Sequence, residues 1–212
     1  HSLALKRVHG LVFQVAVFTN LTRDHLDYHG DMDAYFAAKR LLFERHLRPD
    51  GHAVLNLDDE RASELARASR GRVWTYSLED PKADLLAEDV RLSLEGTRFR
   101  ARTPAGVLDV ETSLVGAFNV QNALAALGAG LALDLPPDAV QRGIAALRGV
   151  PGRMERIDAG QDFTVLVDYA HTDDALKNLL ETVRGLSPRR VITVFGCGGD
   201  RDRTKRPLMG AV

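Results

Sequence analysis

The densest group of chemically capable side chains is the stretch DHLDYHGD, which comprises residues 24–31 and follows an apolar run. It holds two histidines and three aspartates. Carboxylate oxygens are the ligands that Mg²⁺ prefers, and imidazole nitrogens suit softer metals. Polar loops are also rich in these residue types, and Asp31 could instead cap the helix that follows. The pattern by itself leaves a metal-binding loop and a helix cap as open alternatives.

A lysine interrupts the apolar stripe of the next predicted helix. Lys39 stands four residues after Tyr35 and three before Leu42, which is the spacing of one helix face. Such a lysine can extend its ammonium to water, pair with a carboxylate, or stay neutral because burial lowers its pKa. A neutral amine can take up CO₂ and become a carbamate with carboxylate-like oxygens. The spacing alone favours extension to water.

Two asparagines and one arginine have side chains that suit the recognition of a nucleotide. Asn119 and Asn122 stand three residues apart near the start of a predicted helix. Each amide offers a donor and an acceptor, as the edge of a purine requires, although Asn119 could simply be the N-cap of that helix. Arg153, in the segment PGRME, has a guanidinium that fits a phosphate, or it could brace a linker.

The ends of two predicted strands carry the remaining candidates. Asp168 and His171 close the run FTVLVDYAH, and an aspartate at such a strand end often contacts a ribose hydroxyl. Capping of the next helix by Asp168 or Thr172 is the alternative. Residues 196–206, GCGGDRDRTKR, combine glycines with four basic side chains, which suits either an anion or a solvated turn. The P-loop pattern G-x-x-x-x-G-K-[ST] occurs neither there nor elsewhere in the chain.

An α/β framework is predicted to position these residues. Apolar runs predict buried strands over residues 11–19, 52–58 and 72–78. Apolar residues at helical spacing predict helices over residues 31–47, 58–69, 118–133 and 137–147. Alternation and turn signals over residues 85–113 predict antiparallel strands with a hairpin. The turn-rich segment 148–153 predicts a hinge. Beyond it we expect a β-α-β unit with its strands at 163–170 and 189–196 and its helix at 173–185.

Composition excludes several classes of function. The 212 residues carry 28 Lys and Arg against 29 Asp and Glu, a net charge of −1, which provides no general field for nucleic acid or an anionic membrane. A single cysteine excludes an intramolecular disulfide. No apolar run approaches the roughly 20 residues of a membrane span. The chain begins with a histidine, and we expect it to be a piece of a longer protein.

Taken together, the motifs resemble the Mur ligase family along essentially the whole chain. They occur in the order NLTRDHLDYHGDM, YFAAK, NLDD, GAFNVQNA, GVPGRME, VDYAHT and GCGGDRD. The first, second and last are most similar to MurE, the UDP-N-acetylmuramoyl-tripeptide synthetase group. The resemblance implies a Mur ligase central domain over residues 1–149, with a mainly parallel sheet, helices and a small antiparallel subsheet. The start of a Rossmann-like C-terminal domain follows over residues 150–212.

The resemblance also implies an activity. Enzymes of this group are cytoplasmic, ATP-dependent amide ligases of peptidoglycan precursor synthesis. They add lysine or meso-diaminopimelate to UDP-MurNAc-L-Ala-D-Glu through an acyl phosphate, with ATP and Mg²⁺ as cofactors. Neither nucleic acid nor membrane is an expected partner. The sequence does not distinguish lysine from diaminopimelate.

The site residues follow from the same resemblance. His25 and a carbamylated Lys39 are expected to be catalytic and to hold magnesium. Nucleotide-binding roles are implied for Asn119, Asn122, Arg153, Asp168 and His171, and a role in binding the UDP-MurNAc substrate for Arg7. The loop around Arg201 to Arg206 is expected to be structural or close to the site. Asp173 replaces a proline that is usual in the family, with little expected loss, since an acidic residue suits a first helical turn.

Other functions remain open from the sequence. Cyanophycin synthetase and folylpolyglutamate synthase share the ligase core, but the HLDYHG and GCGGDRD segments argue against both. A metal-dependent hydrolase could use the DHLDYHGD stretch, and the chain could be a non-catalytic nucleotide-binding fragment. Because the family's phosphate loop is missing, we expect the isolated chain not to be a competent ligase.

Overall fold

The structure is a computed structural model that describes residues 1–23, 25–198 and 205–212. Asp24 and residues 199–204 are outside the described part. Most of the glycine-rich basic loop, with the predicted anion contact and Arg201, therefore lies outside the described residues.

A six-stranded sheet spans residues 13–112, with the strands in sequence order across it. Its strands are β1 Phe13–Phe18, β2 Leu47–Asn56, β3 Arg72–Ser77, β4 Leu85–Ser93, β5 Gly96–Thr103 and β6 Gly106–Thr112. The first four strands run parallel, and β4, β5 and β6 pair antiparallel. The predicted α/β class, with a mainly parallel sheet and an antiparallel part, is confirmed.

Seven α-helices accompany the strands within the described residues. They are α1 Leu26–His29, α2 Met32–Leu41, α3 Ala62–Ala68, α4 Ala117–Ala132, α5 Pro137–Ala146, α6 Asp173–Gly185 and α7 Lys205–Ala211. Each helix of residues 1–23, 25–198 and 205–212 is too short or too polar to cross a bilayer.

The predicted helix over residues 31–47 is shorter than expected. It ends at Leu41, a five-residue π-helical turn covers Leu42–His46, and β2 begins at Leu47, five residues before the predicted start. Phe43 and Leu47 are each 1% exposed. Their burial against the sheet sets the path of the chain here, and helical periodicity cannot report such a tertiary contact.

Strand β2 lies between two apolar layers. Val54 belongs to a cluster that includes Leu124 and Leu127 of α4, whereas Leu55 belongs to one that includes Phe36 of α2. Successive strand residues point to opposite faces, so a continuous apolar run fits a strand covered on both sides. Helices α2 and α3 therefore cover one face of the parallel strands and α4 covers the other.

The C-terminal part differs from the expected β-α-β unit. Two short strands, β7 Glu155–Ile157 and β8 Val165–Val167, pair antiparallel, and α6 follows at the predicted residues. The predicted strand at 189–196 is wrong for this structure. That segment has no pairing strand among the described residues, and Ile192 and Val194 are 72% and 94% exposed. A strand needs a neighbour to bond its N–H and C=O groups.

Two glycines provide a matched test of how closely α4 packs on β2. Gly143→Ala in α5 is expected to raise the free energy of unfolding by about 0.5–1 kcal/mol, because alanine loses less backbone entropy in a helix. A Cβ there meets nothing beyond its own helix within 4 Å. A Cβ on Gly128 would lie 2.7 Å from Cγ1 of the buried Val54, so we expect Gly128→Ala to lower the free energy of unfolding. Urea unfolding followed by circular dichroism measures both; a stabilised Gly128→Ala would contradict the close approach.

His52 is expected to make stability depend on pH. Its ring packs 4.8 Å from that of Trp74, and its Nδ1 is buried without a hydrogen-bond partner in the described structure. Burial lowers the pKa of His52 below its ordinary value of 6.5, and nearby Arg72 acts in the same direction. The imidazole of residue 52 therefore binds a proton more readily in the unfolded chain than in the folded one. As a result, the free energy of unfolding falls as the pH drops from 6.5 through the lower pKa of the folded state. His52→Gln should remove this part of the pH dependence in urea unfolding measured at several pH values. His9→Gln, at an exposed position, should retain it.

Candidate functional site

The loop after β1 carries the predicted metal residues. His25 precedes the single-turn helix α1 and has a left-handed backbone, with φ of 55°. Asp31 has the capping role: its Oδ1 accepts a hydrogen bond of 2.7 Å from the backbone N–H of Ala34. Asp31 therefore caps α2, as the second interpretation predicted. His25 lies on the other side of the single-turn helix α1.

His25 and Lys39 line the same cavity, which has a volume of about 380 Å³. Buried Tyr35 lies between them: Nζ of Lys39 is 5.0 Å from the centre of its ring, and the ring of His25 meets it edge-on at 5.9 Å. Thr19, directly after β1, lines this cavity too. The sequence-predicted pair is therefore brought together, and Tyr35 is a shared neighbour that the sequence did not single out.

His29 belongs to the same aromatic cluster. Its ring stacks on Tyr35 at 5.0 Å, and its Nε2 is buried with no hydrogen-bond partner in the described part of the chain. Burial lowers the pKa of His29, which favours a neutral imidazole. His29 was not among the predicted site residues, and its position in the DHLDYHGD stretch was the one sequence feature that pointed to it.

The donor chemistry of this cavity fits magnesium on one condition. Within the described residues, no group of three or more His, Cys, Asp or Glu side chains is arranged to hold a metal. His25 offers an imidazole nitrogen, and Mg²⁺ prefers oxygen. Lys39 would supply anionic oxygens only as a carbamate, whereas its ammonium would repel a cation. The cavity therefore fits magnesium if Lys39 is carbamylated.

The predicted base-binding asparagines lie in the first turns of α4. Gly116, not Asn119, is the N-cap, so the capping alternative for Asn119 is wrong. Asn119 is 7% exposed; its Nδ2 donates to the carbonyl of Val115 at 2.9 Å, and its Oδ1 accepts from Nδ2 of Asn122 at 3.1 Å. Asn122 is exposed. Asn119 therefore orients Asn122, and Asn122 is the amide available to a ligand.

The hinge brings three of the predicted nucleotide residues together. The guanidinium of Arg153 lies 5.0 Å from the ring centre of Tyr169, whose ring lies 4.9 Å from that of His171. Both carboxylate oxygens of Asp168 accept backbone N–H bonds, from Met154 at 2.8 Å and from Ala170 at 2.7 Å. Asp168 thus fixes the hinge to the end of β8.

Thr172, rather than Asp168, caps the helix that follows the hinge. Its hydroxyl oxygen accepts from the N–H of Ala175 at 3.2 Å, at the start of α6. The N-cap therefore leaves His171 directly before the helix, next to Tyr169 on the exposed surface.

Arg153 lines a second cavity, of about 370 Å³, that is separate from the one holding His25 and Lys39. Arg148, Arg156 and Val115 also line it, and Val115 carries the carbonyl that Asn119 binds. The basic hinge and the segment directly before α4 thus share one concave surface. Arg148 and Arg156 were not among the predicted site residues. The position of Arg148 in the turn-rich segment 148–153 was an available signal, whereas Arg156 lies in β7 just after it.

Arg7 lies on the turns at the start of the chain. It is exposed, and its backbone N–H donates to the carbonyl of Ser2 at 2.9 Å. Ser2 lines the cavity of His25 and Lys39, whereas Arg7 is outside that lining. Arg7 is therefore bonded through its backbone to a residue of the cavity wall, but it does not itself line the cavity.

Two family models match most of the chain, and curated relatives match nearly all of it. The family described as Mur ligase middle domain matches residues 1–130, and Mur ligase, glutamate ligase domain, matches residues 152–212. The UDP-N-acetylmuramoyl-L-alanyl-D-glutamate--2,6-diaminopimelate ligase of Solibacter usitatus is 56% identical over 212 residues, which is 99% of this chain and 42% of that protein. The Gloeobacter violaceus protein of that name is 51% identical over 213 residues, 100% of this chain and 43% of the relative.

A solved structure agrees with these sequence matches. That structure, of a UDP-N-acetylmuramoyl-L-alanyl-D-glutamate--2,6-diaminopimelate ligase, superposes with a TM-score of 0.76 at 40% identity. The superposition covers 100% of this chain and 44% of the other. The chain therefore spans less than half the length of the relatives that it matches.

The double acceptor role of Asp168 can be tested by hydrogen exchange. Asp168→Ala removes the acceptor for both Met154 and Ala170, so their backbone amides should exchange at least about tenfold faster, as expected for losing a hydrogen bond to a charged group. NMR-detected exchange measures both amides. Asp162→Ala, at an exposed position in the same region, should leave them unchanged. Equal exchange in Asp168→Ala and the parent chain would show that the carboxylate does not hold the hinge.

Proposed function

The chain belongs to the Mur ligase family, and on that basis we propose that it forms the central and C-terminal parts of an ATP-dependent ligase that extends UDP-MurNAc-L-Ala-D-Glu. The observation that carries the proposal is that one cavity holds both His25 and Lys39, in a chain 56% identical to a diaminopimelate ligase. The names of the relatives favour diaminopimelate over lysine as the added amino acid.

The proposed reaction has two chemical steps. The terminal phosphoryl group of ATP passes to the side-chain carboxylate of D-glutamate, giving an acyl phosphate and ADP. The amine of the diamino acid then attacks the acyl carbon, and phosphate leaves as the amide forms. Magnesium, when bound, would offset the negative charge of the phosphates. The remaining work is positioning, which falls to the residues of the chain.

Lys39 and His25 would act on the phosphate side. The neutral amine of Lys39 forms a bond to CO₂ and loses a proton to solvent, which gives a carbamate whose single negative charge is shared by two oxygens. Together with the imidazole of His25, these oxygens would hold the magnesium ion. Half-burial of Lys39 and its contact with the ring of Tyr35 restrict where the carbamate can lie.

The nucleotide would lie between α4 and the hinge. Asn122, oriented by Asn119, presents an amide to the base, and Arg153 with His171 provides a cationic and aromatic surface for the rest of the nucleotide. Each oxygen of Asp168 already accepts one backbone N–H, and each retains a further lone pair for a ribose hydroxyl. Arg7 would contact the UDP-MurNAc substrate.

Two organisational features complete the proposal. The central domain would end at residue 149 and the C-terminal domain would begin at residue 150, in the turn-rich hinge. Because the P-loop pattern is missing from these 212 residues, the chain alone would not complete the reaction. A cytoplasmic location is part of the proposal, since ATP is available there.

A fusion enzyme tests the role of Lys39. The chain is joined to the flanking regions of the Solibacter usitatus relative, and phosphate release dependent on ATP and diaminopimelate is measured. The parent fusion should be active and the isolated chain inactive. Lys39→Ala should lower kcat about 100-fold or more, the usual scale for removing a group that organises charge around a reacting centre. Added formate or acetate should partly restore it by replacing the carbamate.

Controls separate the possible roles of the lysine. Lys82→Ala, at an exposed position, should leave the rate unchanged. Rescue of Lys39→Ala by primary amines, with no effect of carboxylic acids, would show that the residue acts as a cation. Turnover by the isolated chain close to that of the fusion would disprove its predicted incompetence.

A further inference from the structure

The turn after β2 carries two adjacent carboxylates that none of the steps above uses. It comprises residues 56–59, NLDD, at the carboxyl edge of the sheet. Asn56, the last residue of β2, is 3% exposed and organises the turn. Its Nδ2 donates to the carbonyl of Thr19 at 2.7 Å, and its Oδ1 accepts from the N–H of Asp58 at 3.1 Å. The turn is thereby fixed to the end of β1.

Asp59 holds the segment that leads to the metal loop. Its Oδ2 accepts from the backbone N–H of Leu21 at 2.7 Å, and its Oδ1 accepts from the N–H of Arg61 at 2.9 Å. Leu21 lies four residues before His25, and Thr19, held by Asn56, lines the cavity of His25 and Lys39. A bond to a carboxylate is stronger than one between neutral groups, so Asp59 restrains this segment more strongly than a neutral acceptor would.

Asp58 points to the other half of the site. Its Oδ1 accepts from the hydroxyl of buried Ser77, and its Oδ2 accepts from the N–H of Leu78 at 3.0 Å. The same Oδ2 accepts from Nε2 of Gln121 at 3.2 Å. Gln121 is next to Asn122 in the first turns of α4. One carboxylate thus connects the end of β3 to the helix that carries the base-binding amides.

We propose that Asp59 and Asp58 are positioning residues for the two halves of the site, an inference that rests on the proposed function. Asp59 sets the loop of His25 for the metal, and Asp58 sets α4 for the nucleotide. Neither residue is assigned a contact with substrate. The segments they join lie 38 and 63 residues away along the chain, so local structure alone would not align them. Because the two aspartates are neighbours, they also tie the two halves to one rigid strand end.

A comparison of conservative variants in the 212-residue chain tests the structural part. Each Asp→Asn change replaces one acceptor oxygen by an amide group that cannot accept. Backbone and imidazole NMR signals should shift at residues 19–29 in Asp59→Asn and at residues 117–122 in Asp58→Asn, each leaving the other region unmoved. Asp84→Asn is the matched control, because Asp84 accepts from the N–H and hydroxyl of Thr75 away from both regions. Identical shifts in both regions for both variants would overturn the division of roles.

Kinetics of the fusion enzyme test the functional part. Asp59→Asn should raise the magnesium concentration for half-maximal rate about tenfold, the scale of one lost hydrogen bond to a charged group, with KM for ATP at saturating magnesium unchanged. Asp58→Asn should raise KM for ATP by a similar factor and leave the magnesium requirement unchanged. A uniform fall in kcat in both variants, matched by Asp84→Asn, would show a purely structural role. An inactive parent fusion would count against the proposed function, and the NMR comparison would still decide whether the aspartates position the two regions.

Discussion

The parallel pairing of β1, β2 and β3 is the constraint on which the candidate site depends. Val17 pairs with Val54, and Val54 pairs with Trp74, so the three strands end at one edge. Parallel strands require crossovers, and α2 and α3 provide them on one face while α4 covers the other. The loop of His25, the turn at 56–59 and the start of α4 therefore meet without any direct sequence relation. The contacts of Asn56, Asp58 and Asp59 are built on that shared edge.

Much of this framework follows from periodicity and composition. Strands β1 and β3, the antiparallel region and α4, α5 and α6 were predicted to within a few residues, because their apolar patterns agree with their local propensities. Strand β2 begins five residues before its predicted start. The predictions for the extent of α2 and for a strand at 189–196 were wrong. The burial of Phe43 and Leu47 ends α2 early, and the 189–196 run lacks a pairing neighbour in the described residues. Both outcomes depend on distant contacts that a local pattern does not contain.

The candidate site likewise has a part that the sequence predicts and a part that depends on tertiary packing. Residue types and the family resemblance indicated His25, Lys39, Asn119, Asn122, Arg153, Asp168 and His171, whose roles stay predictions. Hydrogen-bond geometry was not foreseeable from the sequence: Asn119 orients a neighbour rather than capping its helix, and Asp168 binds two backbone amides. The sequence placed Tyr35 only in the apolar stripe of a helix. In the structure its ring centre lies 5.0 Å from Nζ of Lys39 and 5.9 Å from the ring centre of His25. Such shared neighbours emerge only when the helix and the loop are packed together.

The left-handed backbone of His25 restricts which mutations this position can accept. Histidine, asparagine and aspartate adopt positive φ several-fold more often than most residues, and β-branched residues almost never do. A change to valine or threonine would combine loss of the imidazole with backbone strain, whereas asparagine removes the ring and keeps the turn. The backbone conformation alone therefore limits which residue types fit at this position without strain. The turn that begins α1 thus selects for glycine, asparagine, aspartate or histidine at residue 25, independently of any ligand that the imidazole binds.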